Sequence, residues 1–148
     1  MNIQIGPTGK KLIFWGAVLF LIGLFQGALI HYFLNPRMAL SAHLAAVQSG
    51  MTLMIFGLIW QLLILKEVWL KITYYSGVAS MYLIWLSITI SAIFGASQAL
   101  PQAGKGFSTS QFIEVSVSAT IYTGSGLAIL SGLLIVLGLY KSLDKSHA

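Results

Sequence analysis

No cysteine occurs among the 148 residues. That excludes disulfides, iron–sulfur clusters and thiolate ligation of zinc or haem iron, and it leaves the redox compartment open. Charge is almost as scarce. Charged residues make up 7% of the chain, where soluble domains carry roughly a quarter. The shortage is sharpest for negative charge, with three acidic residues against eight basic ones. What is present instead is apolar: 57% of the chain is hydrophobic. A soluble chain of this length could not hide that much apolar surface, whereas lipid can. The net charge of +5 has no basic face or aromatic platform to suit nucleic acid. It reads as lysines at the ends of membrane spans.

A span needs about 20 mostly apolar residues, and four stretches meet that requirement: 11–34, 38–65, 72–100 and 112–140. The chain is therefore expected to be one all-α membrane domain, a four-helix bundle, with no room for a separate soluble domain. Lys10 and Lys11 precede the first run as they would in a signal peptide, but the run is too long for one and lacks a small-residue cleavage site. Asn35-Pro36 breaks the first span from the second, because the residue before proline is pushed out of the helical region. Asn35 can then cap the next helix with Pro36 at its first position. Lys66, Glu67 and Lys71 mark a short polar turn. Pro101 to Ser110 is a Gly/Ser/Thr loop. Lys10, Lys11, Lys66, Lys71, Lys141 and Lys145 fall on one side of a four-span protein, and Arg37 and Lys105 on the other. This places both termini in the cytoplasm.

Small residues recur every four positions in the last span, at Ser116, Thr120, Gly124, Ala128 and Gly132. Gly23 with Gly27, and Ala46 with Gly50, repeat the pattern in the first two. Such stripes let helices approach closely in lipid, either within one bundle or between copies. Familiar catalytic signatures are missing: no glycine-rich phosphate loop, no zinc-protease helix, no G-x-S-x-G elbow, no arginine series and no channel filter.

Polar residues inside spans are costly and become functional candidates. His43 leads them. It lies inside the second span among Ser41, Ala42, Ala45 and Ala46, which leave space beside its ring. A neutral imidazole in such a place can ligate a metal or haem iron. It can equally be a structural histidine bonded to a neighbouring helix. His31 lies at the end of the first span beside Tyr32 as an interfacial residue, and His147 sits in the tail. Glu114 is the carboxylate nearest a span on the side away from the lysine-rich loops. It reads as half of an interfacial ion pair, with Arg37 the expected partner, or as a gate or proton relay. Glu67 and Asp144 read as solvated.

The segment Asn35-Pro36-Arg37-Met38-Ala39-Leu40-Ser41-Ala42-His43-Leu44 resembles a motif of the bacterial hydroxylaminobenzene mutases. The resemblance continues through Gly57-Leu58-Ile59-Trp60 and Ala99-Leu100-Pro101-Gln102-Ala103-Gly104. It covers the first three spans and the loop after them. These mutases are in turn distantly similar to the membrane-bound styrene oxide isomerases.

The resemblance implies a small four-span isomerase of the bacterial inner membrane, a homotrimer with ferric haem b between protomers. His43 falls on the histidine that binds the iron, which acts as a Lewis acid on the substrate oxygen. The implied reaction rearranges a small aromatic substrate, either an arylhydroxylamine to an aminophenol or an aryl epoxide to an aldehyde. Ser49 stands where the family usually has asparagine six residues after the histidine. Trp85 aligns with another asparagine position, and Thr89 matches the mutase branch where the other branch has tyrosine. Ser49 and Thr89 are thus expected to orient the substrate oxygen, with Tyr82 and Trp85 holding its aromatic ring. The alternative is a haem-binding membrane protein without catalysis, for sensing or electron transfer.

Overall fold

Each long helix begins and ends for a local reason. In the structure, a computed structural model that describes residues 4–146, α1 runs Pro7–Ala28 with proline in its first turn. Proline suits that place, because its missing N–H is one no helix could use. The first helix stops short of residue 34. Asn35 must be extended before Pro36, with φ −116° and ψ 94°, so residues 29–34 turn the chain back through a 3-10 turn at Ile30–Tyr32. Asn35 then caps α2, Pro36–Ile59, its side chain accepting from the Met38 N–H at 3.1 Å. A 3-10 turn, Trp60–Leu62, finishes that crossing. The next helix, α3, runs Glu67–Phe94 and starts earlier than the polar residues at 66–71 suggest. Glu67 and Lys71 sit one turn apart in its first turns and pair at 2.7 Å in the open. Gly95 ends α3 in the left-handed region, φ 77°, which an L side chain would resist. That is why the third helix closes before residue 100. A single turn, α4 (Pro101–Gly104), lies in the following loop. The last helix, α5, runs Gln111–Ser146.

Four of these helices are long and apolar enough to cross a membrane, and no more than 33% of any span's apolar window is buried inside the chain. The described residues contain no strand. The expected all-α, four-span class therefore holds. His147 lies outside the described residues, as do the side chains of Asp144 and Lys145.

The spans stand in a row rather than a closed ring. Helix α1 packs on α2, α2 on α3, and α3 on α5, while α1 only grazes α3. A small apolar cluster joins the middle of the row: Met38, Ala39 and Ala42 of α2 against Ile88 and Ala92 of α3 and Ile121 of α5. Along α3 the buried positions are largely hydroxyls, Thr73, Ser76, Ser80, Ser87 and Ser91. Each is bonded back to a carbonyl three or four residues earlier, so small polar side chains pack without an unmet donor. The every-fourth stripe of the last span is only partly used. Gly124 packs closely on Ile84, but a side chain at Gly132 would meet nothing within 4 Å and Ser116 is exposed. The buried face of α5 steps by four, three and then seven residues instead, through Val117, Ile121, Gly124 and Ser131.

The α1–α2 contact is the tightest in the molecule. Antiparallel glycines face one another in layers seven residues apart, Gly9 with Gly57 and Gly16 with Gly50. A Cβ on Gly16 would lie 2.5 Å from the Gly50 carbonyl oxygen, and one on Gly9 2.6 Å from that of Gly57. Dispersion between close backbones drives such contacts in lipid, where the hydrophobic effect does not.

Candidate functional site

The next layer of that seam holds His43. Counting back by sevens from Gly57 and Gly50 reaches position 43, opposite Gly23 and Gly27 of α1. Two α1 glycines make the room that an imidazole needs. A Cβ at Gly27 would come within 2.7 Å of His43 Nδ1 and 2.8 Å of its Cε1. The ring is half-buried, and Nδ1 lies 2.7 Å from the Gly23 carbonyl oxygen. A carbonyl can only accept, so Nδ1 carries the proton and donates it. The neutral ring then keeps its lone pair on Nε2. This is the arrangement in which a backbone carbonyl orients a metal-binding histidine.

Among the described residues, no group of three His, Cys, Asp or Glu could hold a bare metal ion. A lone imidazole suits a metal that brings its remaining ligands with it, as haem iron does. The donor set at His43 therefore fits haem.

The other expected residues gather elsewhere. On α3, Thr89 and Trp85 form a closed circuit with Gln26 of α1. The Gln26 amide donates to Thr89 Oγ1 at 3.1 Å, the Trp85 indole donates to Gln26 Oε1 at 2.7 Å, and Thr89 donates to the Trp85 carbonyl at 2.8 Å. Tyr82 donates its hydroxyl to the Trp15 carbonyl at 2.9 Å. Its ring meets Trp15 and Trp85 edge to face, with centroids 6.3 and 6.5 Å apart. Ser49 is buried and lies seven residues after Ala42. Seven residues are nearly two full turns, so Ser49 shares the α2 face that Ala42 turns toward α3. Within the described chain its hydroxyl has no hydrogen-bond partner.

These residues do not all meet within one chain. On α1, Gln26 and Gly27 stand about 100° apart with Gly23 between them. The Gln26 circuit thus lies on one edge of the α2-facing stripe, and His43 lies over the other. Thr89, Trp85, Tyr82 and Ser49 share the α3 side, and His43 is turned away from it.

The sequence marks Gln26 as a polar residue of the first span and so a candidate, but not its partners on α3. The seven-residue spacing of Gly9, Gly16 and Gly23 against Gly57, Gly50 and His43 is the signal that would have found the seam.

The loop end of the molecule is tied by polar residues, and Glu114 corrects an expectation. It does not pair with Arg37. Its buried carboxylate accepts from the backbone N–H groups of Ser97 and Gln98 at 3.0–3.1 Å, holding the turn that follows α3. Two inward N–H groups satisfy it, so no cation is needed. Arg37, exposed, donates to the Lys105 carbonyl at 2.6 Å. Asn35 also donates to the Ala103 carbonyl at 2.9 Å. His31 is exposed in the 3-10 turn, as an interfacial residue would be. An open cavity of about 360 Å³ lies beside the loop, lined by Ser41 and residues 99–103; none of the expected site residues lines it.

A row of four spans, with a glycine-seated histidine on one edge of the α1–α2 seam and an aromatic, amide-linked patch on the other, defines a membrane protein able to present one imidazole ligand in the bilayer. The styrene oxide isomerase family model matches residues 8–140, and the chain belongs to that family, which makes it an isomerase by class. Two curated relatives come from Ectopseudomonas oleovorans. Hydroxylaminobenzene mutase HabA is 36% identical over 91 residues, 62% of this chain and 67% of the relative. Hydroxylaminobenzene mutase HabB is 36% identical over 101 residues, 68% of this chain and 62% of the relative. The chain thus spans about two thirds of the first and less than two thirds of the second. No solved structure matches the chain.

Proposed function

We propose that the protein is a membrane isomerase of small aromatic hydroxylamines that uses ferric haem b bound through His43. The observation that carries this reading is the 2.7 Å contact of His43 Nδ1 with the Gly23 carbonyl, which leaves Nε2 as the ring's one free ligating atom. The two mutase relatives favour an arylhydroxylamine over an aryl epoxide. In the favoured reaction the N–O bond breaks and the oxygen bonds to a ring carbon. The proton from that carbon is lost and nitrogen gains one, so no net oxidation occurs. An epoxide would instead open at C–O with hydride migration to an aldehyde.

Ferric haem bound at His43 supplies a Lewis acid for the substrate oxygen. The chain's own residues do the rest. Gly23 fixes the imidazole. Ser49, whose hydroxyl is uncommitted, donates to the substrate oxygen. Thr89 can do so only by giving up its bond to the Trp85 carbonyl. The Trp15–Tyr82–Trp85 ladder offers ring edges and faces to an aromatic substrate and stabilises positive charge developing on it. Because His43 and this patch occupy opposite edges of one seam, a neighbouring copy completes the site. A homotrimer in a bacterial inner membrane, with haem between protomers, is the assembly that the resemblance implies. The committed Gln26–Thr89–Trp85 circuit favours one second reading, a haem protein without catalysis.

The test is the visible spectrum of detergent-purified protein after haem-replete expression, followed by turnover of phenylhydroxylamine and styrene oxide side by side. A Soret band that His43→Ala removes, with faster turnover of phenylhydroxylamine, is expected. Absence of the band from the wild type would overturn both haem readings. A band without turnover of either substrate would select the non-catalytic one.

A further inference from the structure

The third layer of the α1–α2 seam differs from the first two in what it accommodates. In the Gly9–Gly57 and Gly16–Gly50 layers glycine lets backbone meet backbone. In the third layer α1 keeps its glycines while α2 carries an imidazole, and the ring occupies the space that a Cβ at Gly27 would take. The same α1 segment supplies the acceptor for Nδ1, at Gly23. Space and acceptor are one helical turn apart on one helix, so the ring is held by both.

We propose that Gly27 is a positioning residue: it seats the His43 ring so that Nδ1–H reaches the Gly23 carbonyl and Nε2 is left as the ligating atom. Its functional weight rests on the proposed role of His43 as iron ligand. The tautomer itself does not, because the Gly23 carbonyl dictates it with or without haem. A methyl at Gly27 would sit 2.7 Å from Nδ1. The ring must then swing away, break the Gly23 bond and lose its fixed tautomer. Losing a group that orients a metal-binding histidine typically weakens metal affinity about ten- to a hundredfold.

Two measurements on the full chain in detergent separate this from general damage to the seam. The first is 15N NMR of haem-free protein labelled at histidine, with the His43 signals assigned by their loss in His43→Gln. Wild type is expected to show protonated Nδ1 and unprotonated Nε2 at His43. Gly27→Ala should mix or reverse the two, and Gly16→Ala, whose methyl would collide as severely but one layer away, should not. The second is titration with haemin. Gly27→Ala should bind about ten- to a hundredfold more weakly than wild type and Gly16→Ala close to it. A wild type with the proton on Nε2 overturns the proposal whether or not either variant folds. So does an unchanged His43 signal in Gly27→Ala, or an equal change in both variants. If the NMR result is as expected but wild type binds no haemin, the seating of the ring stands and the iron-ligand reading fails.

Discussion

Replacing Asn35 separates two contributions that one side chain makes at once. Its Oδ1 caps α2 by accepting from Met38, and its Nδ2 ties down the Ala103 carbonyl across 68 residues of sequence. The side chain is fully buried and its bond to Ala103 partly so, so water replaces neither bond completely. Loss of an N-cap costs about 1 kcal/mol. Leaving the Ala103 carbonyl without its donor costs about 1–3 kcal/mol. Asn35→Ala should therefore destabilise the protein by about 2–4 kcal/mol. Asn35→Ser keeps a capping oxygen but is too short to reach Ala103, so it should lose about 1–3 kcal/mol. Unfolding by SDS in mixed micelles measures both. Trypsin reports the loop directly, since Lys105 lies two residues from the lost tie and should be cut faster in both variants. If Asn35→Ala falls within about 0.5 kcal/mol of wild type, as a surface change would, the description of Asn35 as a buried double tie is wrong.

Gly16→Ala should destabilise by about 1–3 kcal/mol through overpacking, while Gly126→Ala should be neutral or gain up to about 1 kcal/mol of helix propensity, because a side chain there meets nothing within 4 Å; the same unfolding assay checks the opposite signs. Gln26→Leu strands the Trp85 indole and the Thr89 acceptor and should cost about 1–2 kcal/mol, with a blue-shifted, more heterogeneous tryptophan emission; an unchanged emission and stability would mean that the circuit does not form in the membrane.

Much of the fold is written in local chemistry that a linear reading can follow. The apolar runs, the Asn35–Pro36 break and the loop from Pro101 all correspond to structure, because each depends on residues close in sequence. Helix ends were harder. Gly95 stops α3 through a backbone conformation, inside a run whose hydropathy gives no warning. Partners across space were harder still. Arg37 and Glu114 have opposite charge and fall near the same membrane face, yet each satisfies itself on loop backbone, because hydrogen-bond demand within a few ångströms outweighs screened attraction over longer distances. The site was legible one residue at a time. His43 and Ser49 are visible as polar positions in an apolar helix, but the faces they occupy depend on which neighbours α2 has. The layered glycines do contain that information, in a seven-residue spacing rather than the four-residue one.

The glycine layers also make the seam a ruler. Sliding α1 along α2 by one turn would drive side chains into positions where only hydrogen fits. The next register that matches glycine to glycine lies seven residues away, about 10 Å at 1.5 Å per residue. The turn from Leu29 to Asn35 is too short to permit that shift. The depth of His43 in the bilayer is therefore not free to drift by small steps as lipid-facing residues change. Sequence can diverge widely around the outside of α1 and α2, while the imidazole stays at one graduation of a scale marked in glycines.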